Sequence, residues 1–183
     1  MRSIKIILIG SSFTIQSQFI DRFVNGRFTD LYDCLIQDSY IKCFEENGQK
    51  IRMEIIETQI NEDFESIIHN LIWESDGIIL IYSIDNRDSF NSISNYYSKI
   101  LQIAELPMIL CGNFCDRHNS RIVTYDEGLE LANQIGCPFF ETSPLSNINI
   151  SESFGCLKNM ITKNENPAVT SHRSTKTKDF CRI

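Results

Sequence analysis

A chain of 183 residues with 42% apolar and 22% charged side chains is long enough to bury one core and too short for two comfortable ones, so one main domain is expected. The formal net charge of −7 argues against nucleic acid as the principal partner, because phosphate recognition needs clustered Lys and Arg and the body of the chain has no such cluster. No apolar run reaches the length of a bilayer span and no secretory leader pattern opens the sequence, which points to a cytoplasmic protein.

In chain order, the first element is the apolar run IKIILI at 4–9, bounded by turn residues and rich in Ile, as a strand buried on both faces would be. Phe19, Ile20 and Phe23 follow at helical spacing. The stretch 37–57, QDSYIKCFEENGQKIRMEIIE, has two strand-like arms around Asn47 and Gly48, a strong short-range hairpin signal, so one edge strand runs antiparallel to its neighbours. Phe64, Ile67, Ile68 and Leu71 mark a second helix before the strand GIILIYS at 77–83. Phe90, Ile93, Tyr97, Ile100 and Leu101 mark a third helix, and LPMILC at 106–111 the next strand. Leu129, Leu131, Ala132 and Ile135 give a fourth helix, CPFFET at 137–142 a last strand, and Phe154, Leu157 and Ile161 a fifth helix. Strands alternating with helices predict an α/β fold: a six-stranded, mostly parallel sheet with one antiparallel edge strand and helices on both faces.

The composition changes after Lys163. Residues 164–183, NENPAVTSHRSTKTKDFCRI, are polar and lack apolar periodicity, so they read as a flexible tail following a domain over 1–163. The seven cysteines are scattered, odd in number and without a C-x-x-C pair, which favours reduced thiols over a disulfide framework or a zinc site.

The order of short strings is more specific than any one of them. YDCLIQDSY at 32–40, SIDNRDSF at 83–90, LPMILCGNFCD at 106–116 and PFFETS at 138–143 occur in the same order as the effector loop, third-helix start, base-recognition strand and last strand of the small GTPases. The chain resembles that family over about residues 3–163, and within it the Ras/Rap branch. The resemblance implies a P-loop small-GTPase fold, GTP or GDP with Mg²⁺ as ligands, and protein effectors as partners.

Position by position, the implied nucleotide site is altered. The P-loop pattern G-x-x-x-x-G-K-[ST] falls on Gly10 to Ser17, with Gly10 and Ser17 kept and Ile15 and Gln16 replacing the second glycine and the lysine. Gln16 can donate a hydrogen bond but carries no charge, and Ile15 is expected to crowd the place where backbone approaches the ligand. Magnesium would fall to Ser17 and Glu57, but Leu35 stands where the family has a threonine and offers no oxygen to a hard cation. Ile60 replaces the switch glycine, and Asn61 occupies the water-positioning place with a side chain one methylene short, so no efficient catalytic residue is expected. At the base, Phe28, Asn113, Asp116 and Ser143 match; Phe114 has a ring that can either pack on the base or fill the pocket, and Pro144 removes a backbone donor.

The implied effector loop is better kept. Tyr32, Asp33, Ile36, Asp38, Ser39 and Tyr40 fit the Ras/Rap pattern, with Gln37 and Cys34 as departures, so a protein effector is expected to add a strand along the 36–43 edge. The alternative is that these residues simply belong to a strand and its solvated side. Near the end, Cys181 lies third from the last residue and misses the C-a-a-X spacing by one, so lipid attachment is less expected than a free tail. The sequence therefore predicts a Ras-like binding module with weak or absent nucleotide binding, against two alternatives: a divergent working GTP switch, or a single-state fold used structurally.

Overall fold

The computed structural model describes residues 1–11, 13–28, 39–46, 48–58 and 65–164. Six strands and five helices alternate along the described chain: β1 (Arg2–Ile9), α1 (Phe13–Asn25), β2 (Tyr40–Glu46), β3 (Gln49–Thr58), α2 (Glu65–Trp73), β4 (Gly77–Ser83), α3 (Arg87–Leu101), β5 (Met108–Asn113), α4 (Tyr125–Ile135), β6 (Phe139–Thr142) and α5 (Ile150–Asn164). The strands form one sheet in the order β2-β3-β1-β4-β5-β6. β2 pairs antiparallel with β3, with Tyr40 opposite Ile55 and Glu46 opposite Gln49, and every other pairing is parallel. Gly48 closes that hairpin at φ +76, a left-handed conformation that glycine adopts without a steric penalty.

Strand alternation divides the core into two layers. Ile4, Ile6 and Leu8 of β1 join Ile79 and Ile81 of β4 beneath α1 and α5, whose Phe19, Phe154 and Leu157 are fully buried. Ile7 and Ile9 face the other way with Ile78, Leu80 and Tyr82, covered by Ile68 and Ile72 of α2, Ile93 and Ile100 of α3 and Leu131 of α4. Successive strand side chains point to opposite faces, so a strand covered on both sides reads as the unbroken apolar runs seen in the sequence.

Three details differ from the expected pattern. Tyr96, rather than Tyr97, is the more deeply buried tyrosine of α3, and Leu101 and Leu129 are exposed. The last strand begins at Phe139 rather than Cys137, because Gly136 ends α4 in a left-handed conformation and the Cys137 N–H still bonds the Ala132 carbonyl at 3.0 Å. β5 is shifted two residues toward its C-terminus, over Met108–Asn113, so the polar Asn113 is its final residue.

Candidate functional site

In an open α/β sheet, ligands bind at the carboxyl ends of parallel strands, near the point where strand order reverses. β1 is that point here, flanked by β3 and β4, and the sequence-predicted site residues gather at its end of the sheet. Gly10 follows β1, Glu57 lies near the end of β3 opposite Leu8, Asn113 ends β5 and Ser143 follows β6.

Gly10 is needed by the fold itself. A Cβ there would lie 2.8 Å from the Ile81 carbonyl oxygen of β4. Gln16, in the first half of α1, is fully buried. Its amide nitrogen donates to the Gly10 carbonyl at 3.2 Å, and its amide oxygen accepts from the Thr58 N–H at 3.2 Å. The side chain thus joins the start of the P-loop to the last residue of β3. Next to it, the Ser17 hydroxyl donates to a Glu57 carboxylate oxygen at 2.8 Å.

Ile15 departs from the sequence expectation. Its side chain is buried and belongs to the same core layer as Phe19 and Phe154, so it packs inward rather than against a ligand. Of the two placements open to Phe114, the structure shows the inward one: it is 4% exposed, joins that layer, and has the Arg117 guanidinium 3.9 Å from its ring centroid. Phe114 also sits at φ 65, an outlying conformation for a bulky side chain of the kind that clusters at functional turns.

Asn113 is fully buried and acts as a brace, accepting from the Thr142 hydroxyl at 3.0 Å and donating to the Ile15 carbonyl at 3.4 Å. Asp116 is different. Its Oδ1 is buried with no hydrogen-bond partner among the described residues. Ser143 exchanges backbone hydrogen bonds with Ile148, and its hydroxyl accepts from the Ser146 N–H at 2.9 Å. Phe28 is half-buried beyond α1.

Sequence reasoning missed two groups. Arg22 of α1 clasps the turn after β6, donating to the Pro144 carbonyl at 2.5 Å and the Leu145 carbonyl at 3.1 Å while also bonding the Gly26 carbonyl at 2.8 Å. Arg117 pairs with Asp85 at 2.8 Å, and Asp85 also accepts from the Ser83 hydroxyl. With burial opposing them, those two donors hold the Asp85 carboxyl below its usual range. Neither arginine belongs to a recurring motif, and Arg22 meets Pro144 and Leu145 more than a hundred residues away in sequence.

The sequence model of the Ras family matches residues 5–163, nearly the whole described chain. This chain belongs to the Ras family. It is also 31% identical over 164 residues to Ras-like protein 1 of Saccharomyces cerevisiae, an alignment covering 88% of this chain and 53% of the yeast protein. The chain thus spans about half the length of that curated relative. Ras-family proteins typically bind GTP or GDP with Mg²⁺, and protein effectors.

The residues present fit those ligands unevenly. A buried, unpartnered carboxylate oxygen suits the ring N–H and exocyclic amine of guanine, so Asp116 fits the base. The phosphate end does not fit: residues 10–17 carry no Lys or Arg, and the amide in the lysine's place has both its ends bonded within the protein. Ser17 and Glu57 are the oxygen donors that a magnesium ion would meet. Asn61, Leu35, Ile60, and the effector-loop residues Tyr32, Asp33, Ile36, Gln37 and Asp38 lie outside the described residues, as do Cys34 and Cys181. Of the predicted effector edge, Ser39 and Tyr40 are described; both are half-buried, and Tyr40 opens β2, the outermost strand of the sheet.

Proposed function

We propose that this Ras-family chain is a binding module, a pseudo-GTPase with weak or absent guanine-nucleotide binding and impaired hydrolysis. The observation that carries the reading is the Gln16 bridge from Gly10 to Thr58. To reach a phosphate, the amide would have to leave two partners, each hydrogen bond contributing about 0.5–1.5 kcal/mol, and it would arrive without charge. The Glu57 carboxylate, next to Thr58 in the chain and bonded to the Ser17 hydroxyl, then opposes a polyanion with no Lys or Arg in residues 10–17 to offset it.

The remaining surface supports the binding role. β2 is the outermost strand, with Ile41 and Cys43 exposed, so a protein effector can add a strand along residues 36–43. In this reading the Ras-like domain covers residues 1–163, residues 165–183 lie outside the described residues, and the protein is cytoplasmic; no helix among the described residues is long and apolar enough to cross a membrane. A divergent GTP switch is the second reading, and the Asp116 oxygen favours it because it leaves a base-recognition group intact.

Titration with a fluorescent GDP analogue in the presence of Mg²⁺ separates the two. Gln16→Lys restores the missing cation, and is expected to tighten binding by roughly tenfold, the difference between a charged and a neutral hydrogen-bond donor. Replacing Ile15 as well would open a hole in the core and confound the result. Tight binding by the unaltered chain would establish the switch instead.

A further inference from the structure

A cavity of about 220 Å³ lies away from the strand ends, between the β2–β3 hairpin and helices α1 and α5. Its walls are Phe23, Phe44, Met53 and Phe154, with Gly155 and Ser151 along α5. Phe23 and Phe154 stack with ring centroids 3.8 Å apart, so one side of the cavity is aromatic. Gly155 stands in the middle of α5, where glycine weakens a helix, yet a Cβ there would meet nothing within 4 Å. The fold has no steric need for that glycine. The space it leaves is continuous with the cavity.

Two ammonium groups line this cavity. Lys158 is neutralised by an ion pair with Glu46 at the end of β2. Lys42 donates to the Phe23 carbonyl and lies 3.9 Å from the centre of the Phe23 ring, with no carboxylate partner among the described residues. An ammonium group has three donors, so Lys42 retains capacity for an anionic acceptor. Partial burial disfavours its charged form, and an arriving carboxylate would reverse that cost.

We propose that this cavity receives an aromatic side chain from a protein partner, with an adjacent carboxylate of the same segment on Lys42. A single ring fits the volume, which is below the roughly 300–1,000 Å³ of pockets built for larger small molecules. Buried aromatic anchors in such pockets carry much of the energy of protein interfaces. The site shares no residue with the nucleotide-binding positions, so it stands whether or not the chain binds GDP.

The test is NMR titration of the full ¹⁵N-labelled chain with the peptide acetyl-Gly-Asp-Phe-Gly-amide. The amides of Phe44, Met53 and Gly155 should shift together, equally with and without added GDP. Replacing the peptide's Asp by Asn, or Lys42→Met in the chain, should each weaken binding roughly tenfold, and combining them should add little, because both remove one charged contact. Replacing the peptide's Phe by Ala should abolish the shifts. Gly155→Leu should do the same by filling the cavity, and Gly155→Ala, which retains the helix with a smaller side chain, should weaken binding partially. Absence of shifts at these amides, unchanged affinity for the Asn or Ala peptide, or 3-phenylpropionate alone binding as tightly as the peptide would each overturn the proposal. GDP binding by the chain with no peptide response would refute this site and leave the nucleotide question to its own measurement.

Discussion

Tyr82 shows how much a single atom can cost. The residue is fully buried, its hydroxyl has no hydrogen-bond partner among the described residues, and burial raises its pKa well above the usual range. Its oxygen fits where two glycines leave room: a Cβ on Gly112 would lie 2.7 Å from it, and one on Gly128 2.4 Å. Removing an unsatisfied buried group relieves a desolvation penalty, so Tyr82→Phe should raise the free energy of unfolding in urea by about 1 kcal/mol. Gly128→Ala should lower it by about 1–3 kcal/mol through overpacking. The aromatic residue was legible as core in the strand GIILIYS, but the slot for its hydroxyl was not, because it is built by β5 and α4 together. Gln16 is the same kind of case. Its lack of charge is visible in the sequence, whereas its bridge to the Thr58 N–H spans 42 residues and depends on β1 and β3 lying side by side.

Among the elements, α4 has the most explicit start and stop. Thr124 accepts from the Glu127 N–H, and the Glu127 carboxylate returns to the Thr124 N–H at 2.8 Å, a reciprocal cap. Thr124→Ala should cost about 1 kcal/mol of stability, measured by thermal or urea unfolding. Arg87, from the first turn of α3, adds an ion pair to Glu127 at 2.6 Å. The Arg87 guanidinium first, and then the Thr124 donors, hold the Glu127 carboxyl at about 2, below its ordinary 4.5. The unfolded chain therefore binds this proton more readily than the folded one, and stability is lost as pH falls through that interval. Glu127→Gln should flatten the dependence of unfolding on pH between about 4.5 and about 2, whereas an unchanged slope would remove Glu127 as its source. Periodicity located all five helices, and the Asn47-Gly48 turn signal the hairpin, because those patterns are local. It placed the last two strands two residues early, since their starts are set by Pro107 and by the Gly136 helix end, both decided by neighbouring backbone.

For the whole molecule, family membership and a mostly parallel sheet with one antiparallel edge strand were legible in the sequence from the collinear motifs and the hairpin signal, whereas the order of the strands came from the structure. The ligand balance is harder to read, since it depends on which buried groups have partners. Asp116 has a buried oxygen without a hydrogen-bond partner among the described residues, while Gln16 occupies both of its hydrogen-bonding ends within the protein. A ligand that binds the native state raises its melting temperature by mass action, so GDP with Mg²⁺ should leave the melting temperature of this chain unmoved at concentrations that stabilise a binding-competent relative. The most direct measurement is the guanine nucleotide released when the purified, unaltered chain is denatured. The account predicts traces far below one nucleotide per chain, and a one-to-one content of GDP or GTP would contradict it.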